Sequence, residues 1–182
     1  MTIPLHRPRL QEKLFFLLSG IILSIPQTLV INTVLYPLVP SDYLGFLSVV
    51  LLAPMIEEFS KAFPLFYRHA ETERSIFVLG FLVGLGFGIV EFLEYVLIIG
   101  APIALRIPGI FFHAAMTSTI AYGIAKKKAL PFYLVAVAFH FSNNFLAEVG
   151  NVWYIGGPAI IGGAYLLSWY LYSRTKERMI PF

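Results

Sequence analysis

Three ionisable side chains lie close together inside a long apolar stretch that runs from Leu44 to Phe66. They are Glu57, Glu58 and Lys61, and the lysine follows the two glutamates at a spacing that places it on their helical face. On insertion scales, one charged side chain at the centre of a bilayer opposes insertion by about 2.5 to 3.5 kcal/mol. We therefore expect a glutamate that is neutral, paired with Lys61 or lining a wet cavity, and each arrangement is a candidate functional site.

Further polar side chains interrupt the apolar stretches that follow. They are Glu91 and Glu94 in the next stretch, His113 after it, and His140, Asn143 and Asn144 in the fifth. Counted at about 1.5 Å per residue from the helix ends, most of them fall with Glu57 in one layer less than about 10 Å thick. His140 and Asn144 share a helical face, which Asn143 borders. If the helices are neighbours, these side chains converge on one point; otherwise they are separate polar contacts that fix helix packing.

The side-chain types in this layer are suited to hydrolysis. A carboxylate in an apolar pocket can act as general base on a water molecule, and imidazole and amide groups can orient that water and stabilise an oxyanion. Adjacent residues lie about 100° apart around a helix, so one glutamate of the pair should face the cavity while Lys61 or backbone freed near Pro54 holds the other. The candidate catalytic residues are Glu57, Glu58, Glu91, His113, His140 and Asn144, with Lys61, Glu94 and Asn143 in supporting positions.

A divalent metal ion such as zinc is an open alternative, because nitrogen and oxygen ligands are typical of its catalytic sites. The candidate ligands are Glu58, Glu91, His113 and His140. The sequence lacks the His-Glu-x-x-His helix of many zinc proteases, so the residues also leave a metal-free mechanism open. It contains no cysteine, which excludes thiolate ligands, disulfides and a cysteine nucleophile.

The composition places these residues in a membrane protein. Of the 182 residues, 58% are hydrophobic and only 13% are charged, so a water-soluble domain would leave too much apolar surface exposed. Six apolar segments are each long enough to cross a hydrocarbon core about 30 Å thick. They run from Leu14 to Tyr36, Leu44 to Phe66, Ile76 to Ile99, Ile103 to Ala125, Leu130 to Val149 and Val152 to Tyr172. We predict an all-α, six-helix transmembrane bundle forming one domain over residues 1–182, with its motif-bearing core at residues 52–144.

The distribution of Lys and Arg predicts the orientation of this bundle. Eleven of the 13 lie at the two termini and in alternate connections, including Arg68 and Arg74, whereas Arg106 is expected on the opposite side and Lys61 within the membrane. By the positive-inside rule, both termini are cytoplasmic, and we expect a multi-pass protein of the cell membrane surrounded by lipid bilayer. Topology thus explains the net charge of +3, and we expect no nucleic-acid partner.

Proline and glycine occur where the helices of a membrane bundle tolerate them. Pro26 predicts a kink in the first segment, and Pro54 predicts a loosened helix just before the paired glutamates. Gly80, Gly84 and Gly88 recur every four residues, which predicts that a neighbouring helix approaches this face of the third segment closely.

Taken in order, the motifs resemble those of the PrsW family of intramembrane proteases. The resemblance rests on Glu57-Glu58-x-x-Lys61, Gly84-x-Gly86-Phe87-x-x-x-Glu91 with Glu94-Tyr95, His113, and His140-x-x-x-Asn144. The wider group includes the CAAX-box prenyl proteases and, more distantly, the gamma-secretase scaffold subunit. This chain differs from the prenyl proteases at Lys61, where they have arginine, and at Glu91, where they have histidine. The difference favours PrsW and argues against a prenylated substrate.

The resemblance implies proteolysis within or near the membrane, on a membrane-spanning or membrane-anchored protein. It assigns water activation to the first glutamate of the pair and oxyanion support to His140 and Asn144. PrsW proteins are classed as metallopeptidases and the prenyl proteases as glutamate-dependent, so the role of metal stays open.

We therefore predict an intramembrane peptidase whose substrate reaches the polar layer through a lateral opening between helices. One alternative is a non-catalytic scaffold subunit of a membrane complex. An ion-coupled transporter is a weaker alternative, because the six segments show no inverted repeat.

Overall fold

The computed structural model describes residues 7–38, 41–67 and 72–180, which form six continuous helical stretches. They are α1 (Leu10–Leu38), α2 (41–67), α3 (Glu73–Ile98), α4 (Ile103–Ala125), α5 (Ala129–Val149) and α6 (Trp153–Ser173). The predicted segments agree with these helices to within four residues at every end. No β-strand occurs in the described ranges, and the predicted all-α class is confirmed.

Four of the helices, α1, α3, α4 and α5, are long and apolar enough to cross a membrane. The chain is therefore a helical membrane protein, as its composition predicted. The number of six spans and the cytoplasmic location of both termini stay predictions. Arg68, one of the cations that predicted the orientation, lies outside the described residues.

A buried carboxylate joins three parts of the chain at one end of the bundle. Glu73, at the start of α3, is 2% exposed. It accepts hydrogen bonds from Lys126 Nζ, just after α4, at 2.6 Å and from Arg178 Nε, in the tail after α6, at 2.7 Å. The start of α3, the end of α4 and the tail therefore lie on the same side, which agrees with the alternation of Lys and Arg.

α1 and α2 each contain a five-residue π-helical segment just before a proline. Gly20–Ser24 precedes Pro26, and Ser48–Leu52 precedes Pro54. Proline lacks an N–H, and its ring displaces the carbonyl group four residues earlier, so the hydrogen-bond pattern widens locally to i→i+5. In α2 the widened turn comes directly before the paired glutamates and helps to set the directions in which they point.

α3 packs against α4 through the predicted face of small residues. A Cβ atom added at Gly84 would lie 2.7 Å from Ala114 Cα, and one added at Gly88 would lie 2.8 Å from Ile110 Cα. Both neighbours are backbone atoms, which cannot rotate away as a flexible side chain can. Glycine is thus required for this approach, which holds the backbone around His113 against α3.

Gly84→Ala is expected to lower the free energy of unfolding by about 1 to 3 kcal/mol, the usual effect of overpacking. The added methyl group would force α3 and α4 apart, because it meets the backbone of Ala114 at 2.7 Å. Thermal unfolding of the purified protein in detergent measures the effect. Gly162→Ala is the matched control, since no atom lies within 4 Å of its added Cβ; equal stability of the two variants would contradict the prediction.

Candidate active site

The two adjacent glutamates of α2 occupy different environments. Glu58 is fully buried, and its Oε1 accepts hydrogen bonds from Lys61 Nζ at 2.7 Å and from His140 Nδ1 at 2.9 Å. Glu57 lines a cavity, and its buried Oε2 has no hydrogen-bond partner among the described residues. The difference follows from the rotation of about 100° between successive helical residues. Glu58 is the carboxylate held in place, and Glu57 is the one available to a ligand.

His140, on α5, is oriented by Glu58. Because the Glu58 carboxylate can only accept, the Nδ1 atom of His140 carries the proton that it donates at 2.9 Å. Nε2 of the neutral ring is then left with its lone pair, and it lies 3.8 Å from Glu57 Oε2. A carboxylate behind one imidazole nitrogen fixes the ring and its tautomer, as in many metal and catalytic sites. The two free atoms are close enough to share one water molecule or one ion.

His113, on α4, bridges two other members of the set. The ammonium group of Lys61 can only donate, so Nζ donates a hydrogen bond to His113 Nδ1 at 2.8 Å. The ring proton is therefore on Nε2, which donates to Glu91 Oε2 on α3. The Lys61 Nζ atom also lies 4.7 Å from the centre of the Phe87 ring. A continuous chain of polar contacts thus connects Glu58 to Glu91 through Lys61 and His113.

Lys61 is completely buried, amino group included. A long lysine near a helix end can extend its amino group to the membrane surface, whereas this one is 0% exposed and bonded at both Glu58 and His113. It therefore does not reach toward the cytoplasm. Its positive charge is held between a carboxylate and an imidazole, where it balances the buried Glu58.

One cavity of about 330 Å³ collects the polar side chains of four helices. Its lining includes Glu57 from α2, Glu91 from α3, His113 from α4, and His140, Asn143 and Asn144 from α5. The residues that the sequence predicts at one depth therefore line one cavity. Glu58 and Lys61 lie behind the cavity wall and bond to its histidines.

Arg106 was missed as a site residue, since the sequence analysis used it only as a cation on the side opposite the termini. It is the only Lys or Arg among the described residues that line this cavity. Its Nη2 atom lies 3.7 Å from Glu91 Oε1, and its guanidinium carbon lies 3.5 Å from the centre of the Tyr95 ring. The available signal was its spacing, because Arg106 precedes His113 by two helical turns and so shares its face.

Asn144 contacts the backbone of α2. In the π-helical segment Ser48–Leu52, the carbonyl of Val49 would accept from residue 54, but Pro54 has no N–H. Asn144 Nδ2 donates to this carbonyl at 3.0 Å instead. Its neighbour Asn143 lines the cavity with a buried Oδ1 that has no partner in the described part of the chain.

Glu94 lies apart from the main cavity. It is exposed and belongs to the π-helical segment Glu94–Ile98 at the end of α3. It lines a smaller cavity of about 200 Å³, which Glu57 and Glu91 also line. Glu94 is therefore near the active-site carboxylates without sharing the space in front of the histidines.

Three side chains of the cavity fit a divalent metal ion. One ring nitrogen of each of His113 and His140 and a carboxylate oxygen of Glu57 lie within 4.8 Å of one another. Two imidazoles and one carboxylate are a common catalytic zinc set, and neither Glu57 Oε2 nor His140 Nε2 has a hydrogen-bond partner among the described residues. His113 would have to give up its hydrogen bond to Lys61 or to Glu91 before it could bind the ion, since both its ring nitrogens are bonded.

The two histidines of this group are among the ligands expected from the sequence. Its carboxylate, that of Glu57, is not. Of the expected glutamates, Glu58 is bonded to Lys61 and His140, and Glu91 is bonded to His113. Glu57 takes their place, because one of its carboxylate oxygens lies within 4.8 Å of a ring nitrogen of each histidine.

Comparison with known families identifies the chain. A family model described as PrsW family intramembrane metalloprotease matches residues 9–172, which include almost all of the helical bundle. The chain belongs to the PrsW family. Searches of curated proteins and of solved structures gave no significant match. As a PrsW protein the chain is an intramembrane protease, as its motifs predicted, and a Glu/His group suited to metal lies inside its bundle. Membership in an enzyme family favours catalysis over the scaffold and transporter alternatives.

Proposed function

We propose that this PrsW protein hydrolyses a peptide bond of a membrane-spanning or membrane-anchored polypeptide at the cavity between α2, α3, α4 and α5. The observation that supports this most directly is the pair formed by Glu57 Oε2 and His140 Nε2, which lie 3.8 Å apart in a polar cavity inside an apolar bundle. A water molecule between them has an acceptor for its proton and a second group to orient it.

Glu57 takes a proton from the attacking water, and the oxygen of that water adds to the carbonyl carbon of the substrate. The same proton is then available to the amine that leaves. His140 holds the water on its Nε2 side, and Glu58 keeps the ring in the required tautomer through the 2.9 Å bond at Nδ1. Glu57 and His140 are thus the groups that contact the reacting atoms, whereas Glu58 is a positioning residue.

The negative charge that develops on the carbonyl oxygen needs a donor, and the cavity lining offers Arg106, Asn143 and Asn144. One amide hydrogen of Asn144 is already given to Val49, so its second hydrogen is the one directed to substrate. His113, held by Lys61 and Glu91, also lines the cavity. This arrangement assigns a role to each predicted residue except Glu94, which borders the smaller cavity.

In the alternative, metal-assisted mechanism, Glu57, His113 and His140 would hold a divalent ion, for which we propose zinc. The ion would then polarise the scissile carbonyl and activate the water in place of Glu57 and His140. The purified protein is then expected to contain about one zinc ion per chain. Elemental analysis by mass spectrometry measures this content in the wild type, in His113→Ala and in His140→Ala, and both variants should lose most of it.

Glu177→Gln is the control for metal content, because this exposed glutamate of the tail pairs with Arg74 of α3 and does not line the cavity. A strong chelator should abolish cleavage, and added zinc should restore it. Full cleavage by protein that contains no metal would contradict the metal site and support the glutamate-dependent mechanism.

The activity itself is tested with purified protein in liposomes and a fluorescence-quenched peptide that spans the bilayer. Cleavage by the wild type, lost in His140→Ala and retained in Glu177→Gln, is the expected result. A protein that binds such peptides but never cleaves them, under conditions in which its fold is intact, would contradict the proposal. The cell membrane is the expected location, which fractionation of the native cells checks.

A further inference from the structure

α1 and α3 are in contact along only part of their length. The first half of α1, Leu10–Ser19 with Gly20–Ser24, packs against α3, whereas Ile25–Leu35 packs against Ala53–Ala62 of α2 instead. At the point of separation, a Cβ atom added to Gly20 would lie 2.9 Å from Phe87 N of α3. Beyond this contact the two helices diverge, and a gap of about 200 Å³ lies between them.

The gap reaches the active site on one side and the lipid-facing surface on the other. Glu57 and Glu91 line both the gap and the main cavity. Leu29 on α1 and Ile99 after α3 line the gap as well, and each is 61% exposed. A polypeptide in the bilayer could therefore pass between these apolar edges and meet the catalytic carboxylate directly behind them.

Two polar side chains of α1 face the gap without a hydrogen-bond partner in the described part of the chain. They are Thr28, which is 7% exposed and whose Oγ1 atom is unpaired, and Asn32, whose Oδ1 atom is buried and unpaired. Unpaired buried polar atoms are unfavourable in an apolar environment. Their presence beside a carboxylate-lined cavity indicates that a polar ligand supplies the missing hydrogen bonds.

The spacing of these two residues fits an extended polypeptide backbone. Thr28 and Asn32 are four residues apart on one helical face, or about 6 Å along the axis. Alternate residues of an extended strand are about 6.6 Å apart. A substrate helix must unwind before hydrolysis, and each backbone group that it frees within the membrane needs a partner, because an unsatisfied one costs several kcal/mol.

We propose that the substrate reaches the site through the gap between Ile25–Leu35 of α1 and the carboxyl end of α3, and that Thr28 and Asn32 bind its unwound backbone. This inference rests on the proposed function and adds the access path and a substrate-binding pair to it. Glu94 and Tyr95, at the start of the π-helical segment Glu94–Ile98, line the gap from the side of α3. The occupant is a membrane-spanning segment of a polypeptide, bound in extended form.

Cross-linking tests the access path without requiring turnover. The natural chain has no cysteine, so Leu29→Cys or Leu166→Cys can be introduced singly into full-length Glu57→Gln protein in liposomes. Leu166, on α6, is 71% exposed and lies outside the gap. In the presence of an added thiol oxidant, a bilayer-spanning peptide with one central cysteine is expected to form a disulfide with position 29 and not with position 166. Equal reaction at both positions, or reaction at neither, would overturn the proposal.

Kinetics test the binding pair. Thr28→Val and Asn32→Leu should each raise KM for the bilayer-spanning peptide about three- to ten-fold, the effect of losing one neutral hydrogen bond, with little change in kcat. Thr33→Val is the matched control, because Thr33 is exposed on the same helix, lies outside the gap and already donates to Leu29 O. Unchanged KM in both gap variants would remove Thr28 and Asn32 from substrate binding.

The two proposals fail in different ways. If the wild type cleaves the peptide but position 29 does not react, the access path is wrong and the proposed function stands. If position 29 reacts selectively but the wild type cleaves no bilayer-spanning peptide, the gap binds polypeptide and the catalytic assignment is wrong.

Discussion

Glu57→Gln is expected to reduce peptide cleavage about 100-fold or more, the contribution typical of a general base. The amide cannot take a proton from water, and it cannot serve as an anionic ligand. The fold should survive the change, because Glu57 Oε2 makes no hydrogen bond with any described residue and its side chain borders a cavity. Cleavage of a bilayer-spanning peptide and thermal unfolding in detergent measure the two effects separately.

Glu177→Gln is the control for this experiment, since the same chemical change at an exposed position should leave activity unchanged and lower stability by no more than a surface ion pair contributes. Activity of Glu57→Gln close to that of the wild type would exclude Glu57 as the base. Loss of activity together with a clear drop in the unfolding temperature would instead assign Glu57 a structural role, which its unpaired oxygen argues against.

Lys61→Met is expected to cause the largest loss of stability, about 3 to 5 kcal/mol, because it leaves the buried carboxylate of Glu58 without its cation. Glu58 and Lys61 are both 0% exposed and 2.7 Å apart. The yield of folded protein should therefore fall more than the specific activity of the molecules that do fold. Lys128→Met is the control, as Lys128 is exposed in the connection after α4.

A second substitution distinguishes loss of charge balance from loss of packing. Glu58→Gln combined with Lys61→Met removes both charges, and the amide oxygen of the glutamine can still accept from His140 Nδ1. The double variant should unfold at a higher temperature than Lys61→Met. If it is no more stable, the role of Lys61 is to fill space beside Phe87, and the buried ion pair contributes little to the fold.

Much of the fold could be predicted from hydropathy, because helices that cross a bilayer must be apolar over a fixed length. α4 was predicted with the same ends that the structure shows, Ile103 and Ala125. The close approach of a neighbouring helix to the glycine face of α3 was predicted as well, and the structure shows that this helix is α4. A Cβ atom at Gly84 or Gly88 would meet its backbone. These features depend on one helix, or on one face of a helix, and they are encoded locally.

The roles within the candidate site could be predicted only in part. Residue spacing predicted a polar layer shared by Glu57, Glu91, His113 and His140, and the structure gives these residues one cavity. Spacing also predicted that the two adjacent glutamates differ in role. It did not predict which of them is held, because Lys61 lies within reach of both along the helix.

The sequence by itself determined the helices, the depth of the ionisable residues and their relative directions within each helix. Only the tertiary structure decided that Glu58 is the paired carboxylate, that Arg106 belongs to the cavity, and that Asn144 binds the Val49 carbonyl. The physical reason is that periodicity sets angles around one helix axis, whereas the rotation of one helix relative to another depends on packing. Here that rotation depends on the glycine face of α3 and on the π-helical turn before Pro54.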